Sequence, residues 1–545
     1  MEDIYILIND CIHNLSSSFT FNLLLRLSAI SKYSSCLIYQ LKIHDHVNQP
    51  IYYTSTNQIK KFYNIDTVMI SKYYTYNNLD KLTHIKNIRF YDLPLPHCVI
   101  NNITKMTQLT SCNSVKLHSD KISYFHTNLS KLYIFHHHEK IYDIKDIISF
   151  THLTNINARK LHGCNSVKQF QEFVNLKSLK IYTLNNLSKL SSLRSLESIK
   201  ISCDTTDFFT IAHPTITSIQ IYEGEDFEIQ NCFKLMYLKL TNCENCIIDA
   251  NISCLLTLIL EQYNDLYDTL NINFDINECV NLEYLVYSCN VKKFTHLSSR
   301  LTKLNSLNLR YDVKVDVDDI TANNLTYLCL YYCKGVFDFN KYGNLKQLRL
   351  DNVTNINIDK LIQLEYLDLY YSDYENENNI THFIDCVNHR KLTYLSVRNY
   401  RIINLTRSNK LNELMSYHID IIDMIDIWNN DIRYLTNLTY LCLYTKYTSK
   451  PELHSTKIFD VSDYENLKYL ECNFLLNDLS LLSNVNHLNI SYYASYCDIL
   501  SKLTKLTTLC LSSREEMDKI DIRNLKRLNY CSDRLFMLPE ITMIE

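Results

Sequence analysis

The sequence predicts an α/β repeat solenoid in which one short strand per repeat builds a parallel concave sheet, an irregular convex side carries the return, and a helical segment caps the N-terminal end. Three observations carry that expectation. A single short phrase recurs along most of the 545 residues, about once every 22. Within each copy apolar residues alternate with others, the period of a half-buried strand. The chain holds four glycines, Gly163, Gly224, Gly335 and Gly343. No two stand close enough to form the Gly-rich loops that cradle phosphates, or the G-x-S-x-G turn of a nucleophile elbow.

Residues 1–48 lack the phrase. Ile4, Leu7, Ile8, Cys11, Ile12 and Leu15 fall at helical spacing, Ser16, Ser17 and Ser18 break the pattern, and Leu23, Leu24, Leu27 and Ile30 resume it. One reading is a cap, because the first repeat of an array otherwise exposes its apolar face. The stretch Leu24–Leu37, LLRLSAISKYSSCL, also resembles the core of an F-box, a helical module that docks onto the adaptor of cullin ubiquitin ligases. The module's usual opening Leu-Pro is Ile8-Asn9 here, and its usual Trp is Ser34. The resemblance implies that Leu24, Leu25, Leu27 and Ile30 contact such an adaptor. As a plain cap, the segment would only cover the first repeat.

From residue 49 to residue 545 the phrase organises the chain. NLTYLCLY runs from Asn324 to Tyr331 and returns letter for letter from Asn437 to Tyr444. Variants begin at Asn175, Asn281, Asn344, Asn466 and Asn524. The common skeleton is L-x-x-L-x-L, with about 22 copies along the chain. Their first anchors are placed at 65, 85, 112, 129, 153, 176, 196, 216, 235, 255, 282, 304, 325, 345, 364, 392, 411, 438, 467, 485, 506 and 525. This pattern resembles the leucine-rich-repeat family. That resemblance implies a horseshoe in which L-x-L is the strand, and a ninth position whose Asn or Cys side chain bonds the backbone of the turn. Here the ninth position is Cys243, Cys333, Asn290, or Asp at Asp120, Asp204, Asp312 and Asp533, and elsewhere unrelated. Irregular convex turns and local breaks in curvature are therefore expected, chiefly at the long intervals after 255, 364, 411 and 438.

Positions 3, 5 and 7 of each copy point away from the core and tile the concave face. In the N-terminal half they carry Arg89, Lys116, Lys131, Arg159, Lys180, Lys200 and Lys239, without Asp or Glu. This basic band suits an acidic segment of a partner. In the C-terminal half they carry Tyr284, Tyr327, Tyr331, Tyr366, Tyr370, Tyr394, Tyr417, Tyr440, Tyr444 and Tyr469. Tyrosine offers a large apolar face and a hydroxyl at small entropic cost, which makes it a frequent interface anchor. Its abundance has a bland source too, since 42 tyrosines in a chain rich in Asn, Ile and Lys match AT-rich coding DNA.

Other chemistry is not expected. The run His136-His137-His138-Glu139 reads as a strand exit, and Cys243 with Cys246 as repeat positions, because a structural zinc site needs matched ligand pairs at defined spacing. No metal, cofactor or catalytic residue is assigned, and the repeat leaves no room for a separate catalytic domain. A net charge of −4 exerts no global pull towards nucleic acid or membrane. The opening MEDIYILINDC is unlike a signal peptide, and no stretch approaches the roughly 18 apolar residues of a membrane span. Twenty cysteines in such a chain are expected to be reduced thiols. The expectation is a cytoplasmic or nuclear, non-catalytic module that binds a protein or peptide on its concave face. It would act either as a substrate receptor of a cullin-type ubiquitin ligase or as a plain scaffold or inhibitor.

Overall fold

A computed structural model of the chain describes residues 67–70, 86–90, 108–114, 129–134, 142–143, 151–162, 172–184, 190, 192–202, 208–263, 271–288, 300–310, 324–333, 338–353, 356–371, 383–419, 432–445, 459–461, 464–473, 476–477, 482–490, 503, 505–511 and 527–530. The segment 1–48, with Leu24, Leu25, Leu27 and Ile30, lies outside the described residues, as do Lys116 and the run 136–139. The chain divides into two compact units, Met1–Asp275 and Ile276–Glu545.

In each unit the L-x-L segment is a strand, and successive strands pair in parallel, like position on like position. In the first unit Ser178–Leu184, Ser198–Ser202, Ser218–Tyr222, Tyr237–Thr241 and Thr257–Glu261 follow one another in this way. In the second, Ser306–Arg310, Tyr327–Tyr331, Gln347–Asp351, Tyr366–Tyr370 and Tyr394–Arg398 do the same. The strand period of two sends the second and fourth residues inward. Leu307, Leu309, Leu328, Leu330, Leu348 and Leu350 are accordingly sealed from solvent, and the first anchors Leu325, Leu345 and Leu364 join them. Each coil buries its leucines only against its neighbours, so stacking is what makes the core.

Two polar ladders hold coil to coil. Backbone N–H groups of consecutive residues share one carbonyl of the preceding coil, as when Thr326 and Tyr327 donate to Asn305 O at 2.8 and 3.1 Å. The threonine hydroxyl adds a third bond to that oxygen, at 3.2 Å for Thr326, and Thr393, Thr439 and Thr507 repeat the arrangement on Glu365, Asn412 and Asn486. The Asn that opens the phrase reaches back to a turn carbonyl: Asn175 to Thr151 O at 3.1 Å, Asn324 to Thr302 O at 2.8 Å, Asn437 to Asn409 O at 2.7 Å. Recurrent Asn and Thr in the phrase are thus inter-coil bonds written into the sequence.

The return segments hold 3-10 turns such as Ile252–Cys254, Phe339–Lys341 and Ile432–Tyr434, and short strands. No α-helix occurs among the described residues, whose return segments, at a period near 22, hold turns and short strands. Phe209–Ala212, Asp226–Gln230, Asn245–Asp249 and Asn271–Ile272 form a second parallel sheet, with Phe209 stacked on Phe227 at 5.3 Å. Where the chain leaves a strand it turns left-handed, at Glu223, Asn242, Tyr332, Asn352 and Asn399, with φ between 52° and 61°. Asparagine tolerates that region better than most residues. Gly224 serves close packing instead, since a Cβ there would stand 3.0 Å from Ile221 and 3.1 Å from Phe227.

The ninth position works as the family resemblance implies where Cys is present. Cys243 Sγ lies 3.5 Å from Thr241 O and 3.7 Å from Ile221 O, and Cys333 Sγ bonds Leu309 O and Tyr331 O at 3.6 and 3.7 Å. Tyr400 takes the same place with a longer reach, its hydroxyl donating to Val353 O at 2.7 Å.

One repeat frame differs from the sequence expectation. Leu109, 2% exposed, is the first anchor of its coil, and the strand is Ser111–Ser114. Asn113, in register with Arg89 and Tyr133, holds the third-residue column position that the frame starting at 112 gave to Lys116. The leucine-like spacing of Cys112, Val115 and Leu117 is overruled by backbone pairing to both neighbours. The long intervals after 364 and 438 do not disturb the sheet, whose pairing stays in register across them. The interval after 411 carries a register shift between Tyr417 and Ile419.

Candidate partner-binding face

The outward columns of each sheet are the first, third and fifth residues of its strands. In the first unit, register places Arg89, Asn113, Tyr133, Asn157, Lys180, Lys200, Gln220 and Lys239 in one third-residue column. Lys131 is exposed in the first-residue column beside Asn155, and Arg159 lies within Asn155–His162. Lys180 and Lys200 are direct register partners, both half-buried. Lys200 Nζ donates to the Tyr222 hydroxyl at 3.1 Å and stands 4.4 Å from that ring's centroid.

Lys239, the last residue of the basic band, is paired with a carboxylate. Its ammonium meets Glu261 Oε2 at 2.6 Å, across one strand. Burial pulls its pKa down, but the hydrogen bond and charge of Glu261 more than offset this and leave it raised. The positive column therefore ends before Lys239, because Glu261 occupies the next strand on the same face.

In the second unit the tyrosines form stacks. Tyr366 lies on Tyr394 with ring centroids 4.1 Å apart, Tyr440 on Tyr469 at 4.1 Å, and Tyr469 on His487 at 4.2 Å, all within 9° of parallel. These rings follow the first-residue column, which also holds Tyr284 and Tyr327. Along the fifth-residue column run Tyr331, Asp351, Tyr370, Arg398, Tyr417 and Tyr444. Tyr417 stacks on Tyr444 at 5.6 Å, and the Arg398 guanidinium covers Tyr370 at 4.8 Å.

The hydroxyls of these rings lean over the middle column. Tyr444 and Tyr469 each donate to Glu471 at 2.5 Å, and Asn489 Nδ2 donates to it at 2.8 Å. Tyr394 and Tyr417 reach Met415 Sδ at 3.7 and 3.9 Å, and Cys442 Sγ contacts the Tyr417 hydroxyl at 3.2 Å. Burial, then the bonds to Glu471, push the Tyr444 and Tyr469 phenols well above their usual range. Tyr440 is pushed up to about 12, chiefly by burial. Tyr327 is likewise raised to about 12, by burial and then by the adjacent Cys329 thiol. On the same face Arg349 Nε pairs with Asp368 Oδ2 at 3.2 Å. The stacked rings are held in place by their neighbours.

Sequence reasoning named the tyrosines but not Glu471, the acceptor that ties two of them together. Nor did it find the Asn and Thr ladders, although those letters were in the repeated phrase. Among the described residues no group of three or more His, Cys, Asp or Glu is placed to hold a metal, and no helix is long and apolar enough to cross a membrane.

Parallel strands one per coil, leucine triplets inside and a mixed polar and aromatic face outside define a leucine-rich-repeat solenoid. Solved structures of that fold match the chain. The TLR13–ssRNA13 complex is 15% identical, covers 85% of this chain and 73% of its own, and has a TM-score of 0.50. A leucine-rich-repeat protein of Leptospira interrogans is 14% identical over 88% of this chain and 98% of its own, with a TM-score of 0.32. The Toll–Spatzle complex of Drosophila is 13% identical over 85% and 62%, with a TM-score of 0.44. Likeness at such identities concerns the fold alone. No family model and no curated protein matches the sequence.

Proposed function

We propose that the chain is a non-catalytic binding module whose second unit holds a protein or peptide partner against the tyrosine columns of its sheet. The observation that carries this reading is the pre-set order of the rings, with Tyr366 on Tyr394 and Tyr440 on Tyr469 and the hydroxyls of Tyr444 and Tyr469 fixed on Glu471. Side chains already immobilised lose little freedom on binding, so more of the contact energy appears as affinity. Tyr and Arg are also the residues that dominate interface hot spots. The Leu24–Leu37 resemblance favours a substrate receptor of a cullin-type ubiquitin ligase; without adaptor binding, the module is a scaffold or inhibitor.

The test is a pull-down with the full chain, wild type against Tyr394→Ala with Tyr440→Ala, read by mass spectrometry. Each truncation of a hot-spot tyrosine costs roughly 2 kcal/mol, about 30-fold in affinity, so true partners should disappear from the double variant. Partners retained equally by both proteins would place the site elsewhere. Because the TLR13 structure is a complex with an RNA, nuclease treatment is included, and capture that depends on RNA would overturn the protein-partner reading. Co-purification of the ligase adaptor with the full chain, and its loss on Leu24→Asp with Leu27→Asp, separates the receptor from the scaffold.

A further inference from the structure

We infer that the partner of the second unit presents an arginine, whose guanidinium enters the first-residue column between Tyr394 and Tyr440 and pairs with Glu413. The inference rests on the tyrosine columns being the binding face, and names the chemistry of what they hold.

Register runs that column through Tyr366, Tyr394, Glu413, Tyr440, Tyr469 and His487, one residue per strand. Every member except Glu413 is a ring. Tyr366 lies on Tyr394 at 4.1 Å, Tyr440 on Tyr469 at 4.1 Å, and Tyr469 on His487 at 4.2 Å. The stack is broken at the strand Glu413–Ile419, where a carboxylate stands in the layer a ring would fill. Because Tyr366 covers one face of Tyr394 and Tyr469 covers one face of Tyr440, the remaining faces of Tyr394 and Tyr440 look towards each other across Glu413. Alternate strands stand roughly 9.6 Å apart, which leaves room for one more flat layer. Met415, on the same strand, closes the inner end of this slot, with the Tyr394 hydroxyl on its Sδ at 3.7 Å.

The charge of the slot is unmatched. Of the outward acids of this sheet, Asp368 has Arg349 at 3.2 Å, and Asp351 accepts from Asn352 and lies in the field of Arg349 and Arg398. Glu471 has no cation but is held by Tyr444, Tyr469 and Asn489. Glu413, half-buried, has neither an ion pair nor a hydrogen-bond donor among the described residues. Arg398, one strand before it, is drawn the other way, over the Tyr370 ring at 4.8 Å.

A guanidinium supplies what is missing. It is flat, stacks on aromatic faces and forks its N–H donors onto a carboxylate, whereas an ammonium matches the charge but not the layer. A nucleobase would also fill a gap between rings, but its phosphates would run past Glu413 and Glu471, which repel them.

The experiment is fluorescence anisotropy of the full-length chain with labelled Gly-Ser peptides carrying arginine, lysine or citrulline at the same positions, and with an oligouridylate. The arginine peptide should bind saturably, about tenfold tighter than the flat but uncharged citrulline peptide and tighter than the lysine peptide. Glu413→Gln should weaken it about tenfold, and Glu413→Tyr, which completes the stack, should abolish it. Glu228→Gln, on the second sheet of the first unit, removes the same charge elsewhere and should change nothing. Circular dichroism and unfolding midpoints check that the variants fold, and Glu413→Gln carries the test if Glu413→Tyr does not. No saturable binding of the arginine peptide, equal binding of the lysine or citrulline peptide, or tighter binding of oligouridylate would overturn the inference. So would unchanged binding by Glu413→Gln, or an equal loss in Glu228→Gln. In the pull-down, partners lost from Tyr394→Ala with Tyr440→Ala but retained by Glu413→Gln would sink this inference alone, and partners retained by both would sink the tyrosine face with it.

Discussion

Asp351 is a carboxylate placed where its own ionisation weakens the fold, and Asp351→Asn should reveal it. The residue ends the strand Gln347–Asp351, is 5% exposed, and accepts from Asn352 Nδ2 at 2.6 Å. Burial pushes its pKa from 3.8 up to about 6, outweighing the lowering effect of the Tyr331 hydrogen bond and the Arg349 charge. The folded protein therefore holds this proton more tightly than the unfolded chain does. The resulting stabilisation is complete below pH 3.8, falls as pH rises and the unfolded carboxyl ionises first, and is lost above about 6. At about 1.4 kcal/mol per tenfold change in proton affinity, the loss is about 3 kcal/mol. Asparagine keeps the shape and the acceptor oxygen but has no proton to lose. Urea unfolding followed by circular dichroism, from about pH 4 to about pH 8, should show the variant level with wild type at the acid end and up to about 3 kcal/mol more stable at the other. A difference that does not change with pH, or a variant less stable at the alkaline end, would refute the reasoning.

Leu328→Ala should cost roughly 2–5 kcal/mol by opening a cavity in the stacked core. Tyr331→Ala, on the outward side of the same strand, should cost far less in the same denaturation assay; equal losses would invert the inward and outward assignment. Asn242 has φ of 52° and accepts the Tyr263 N–H at 2.8 Å. Asn242→Val should cost roughly 1–2 kcal/mol more than Asn242→Gly, which keeps the left-handed turn, and equal thermal midpoints for the two variants would contradict this. Cys243 is pushed up to about 12 by burial, and Cys246 is raised well above its usual range for the same reason. Alkylation read by mass spectrometry should leave both unmodified in the native protein and label them after unfolding.

The core was legible because burial restricts letters: positions such as Leu238, Leu258 and Leu328 admit little but aliphatic side chains, and their spacing survives as a pattern. The exception shows the limit of that signal. In the coil that opens at Leu109 the next two anchor letters are Cys112 and Ser114 rather than leucines, so a neighbouring apolar triplet outscored the true frame. Polar bonds between coils were harder to read, since the Asn and Thr side chains bond backbone oxygens, which have no letter. The Lys239–Glu261 pair was within reach, because 22 residues separate them and one repeat of separation means adjacent strands. The Glu471 centre was not, because two tyrosines from different columns converge on it only through their chosen side-chain rotamers.

The scarcity of glycine gains a meaning from the left-handed asparagines. A glycine at those turns would supply rotation and nothing else. Asn242 also receives the Tyr263 N–H, Asn399 Nδ2 reaches Tyr371 O at 2.5 Å, and Asn404 Nδ2 reaches Asp385 Oδ1 at 2.9 Å, each on a neighbouring coil. Each such turn works as a gauge as well as a hinge, closing properly when the adjacent coil stands one strand-width away. A coil that slips is then opposed at its turn as well as in its sheet, a check on spacing that a glycine turn does not provide.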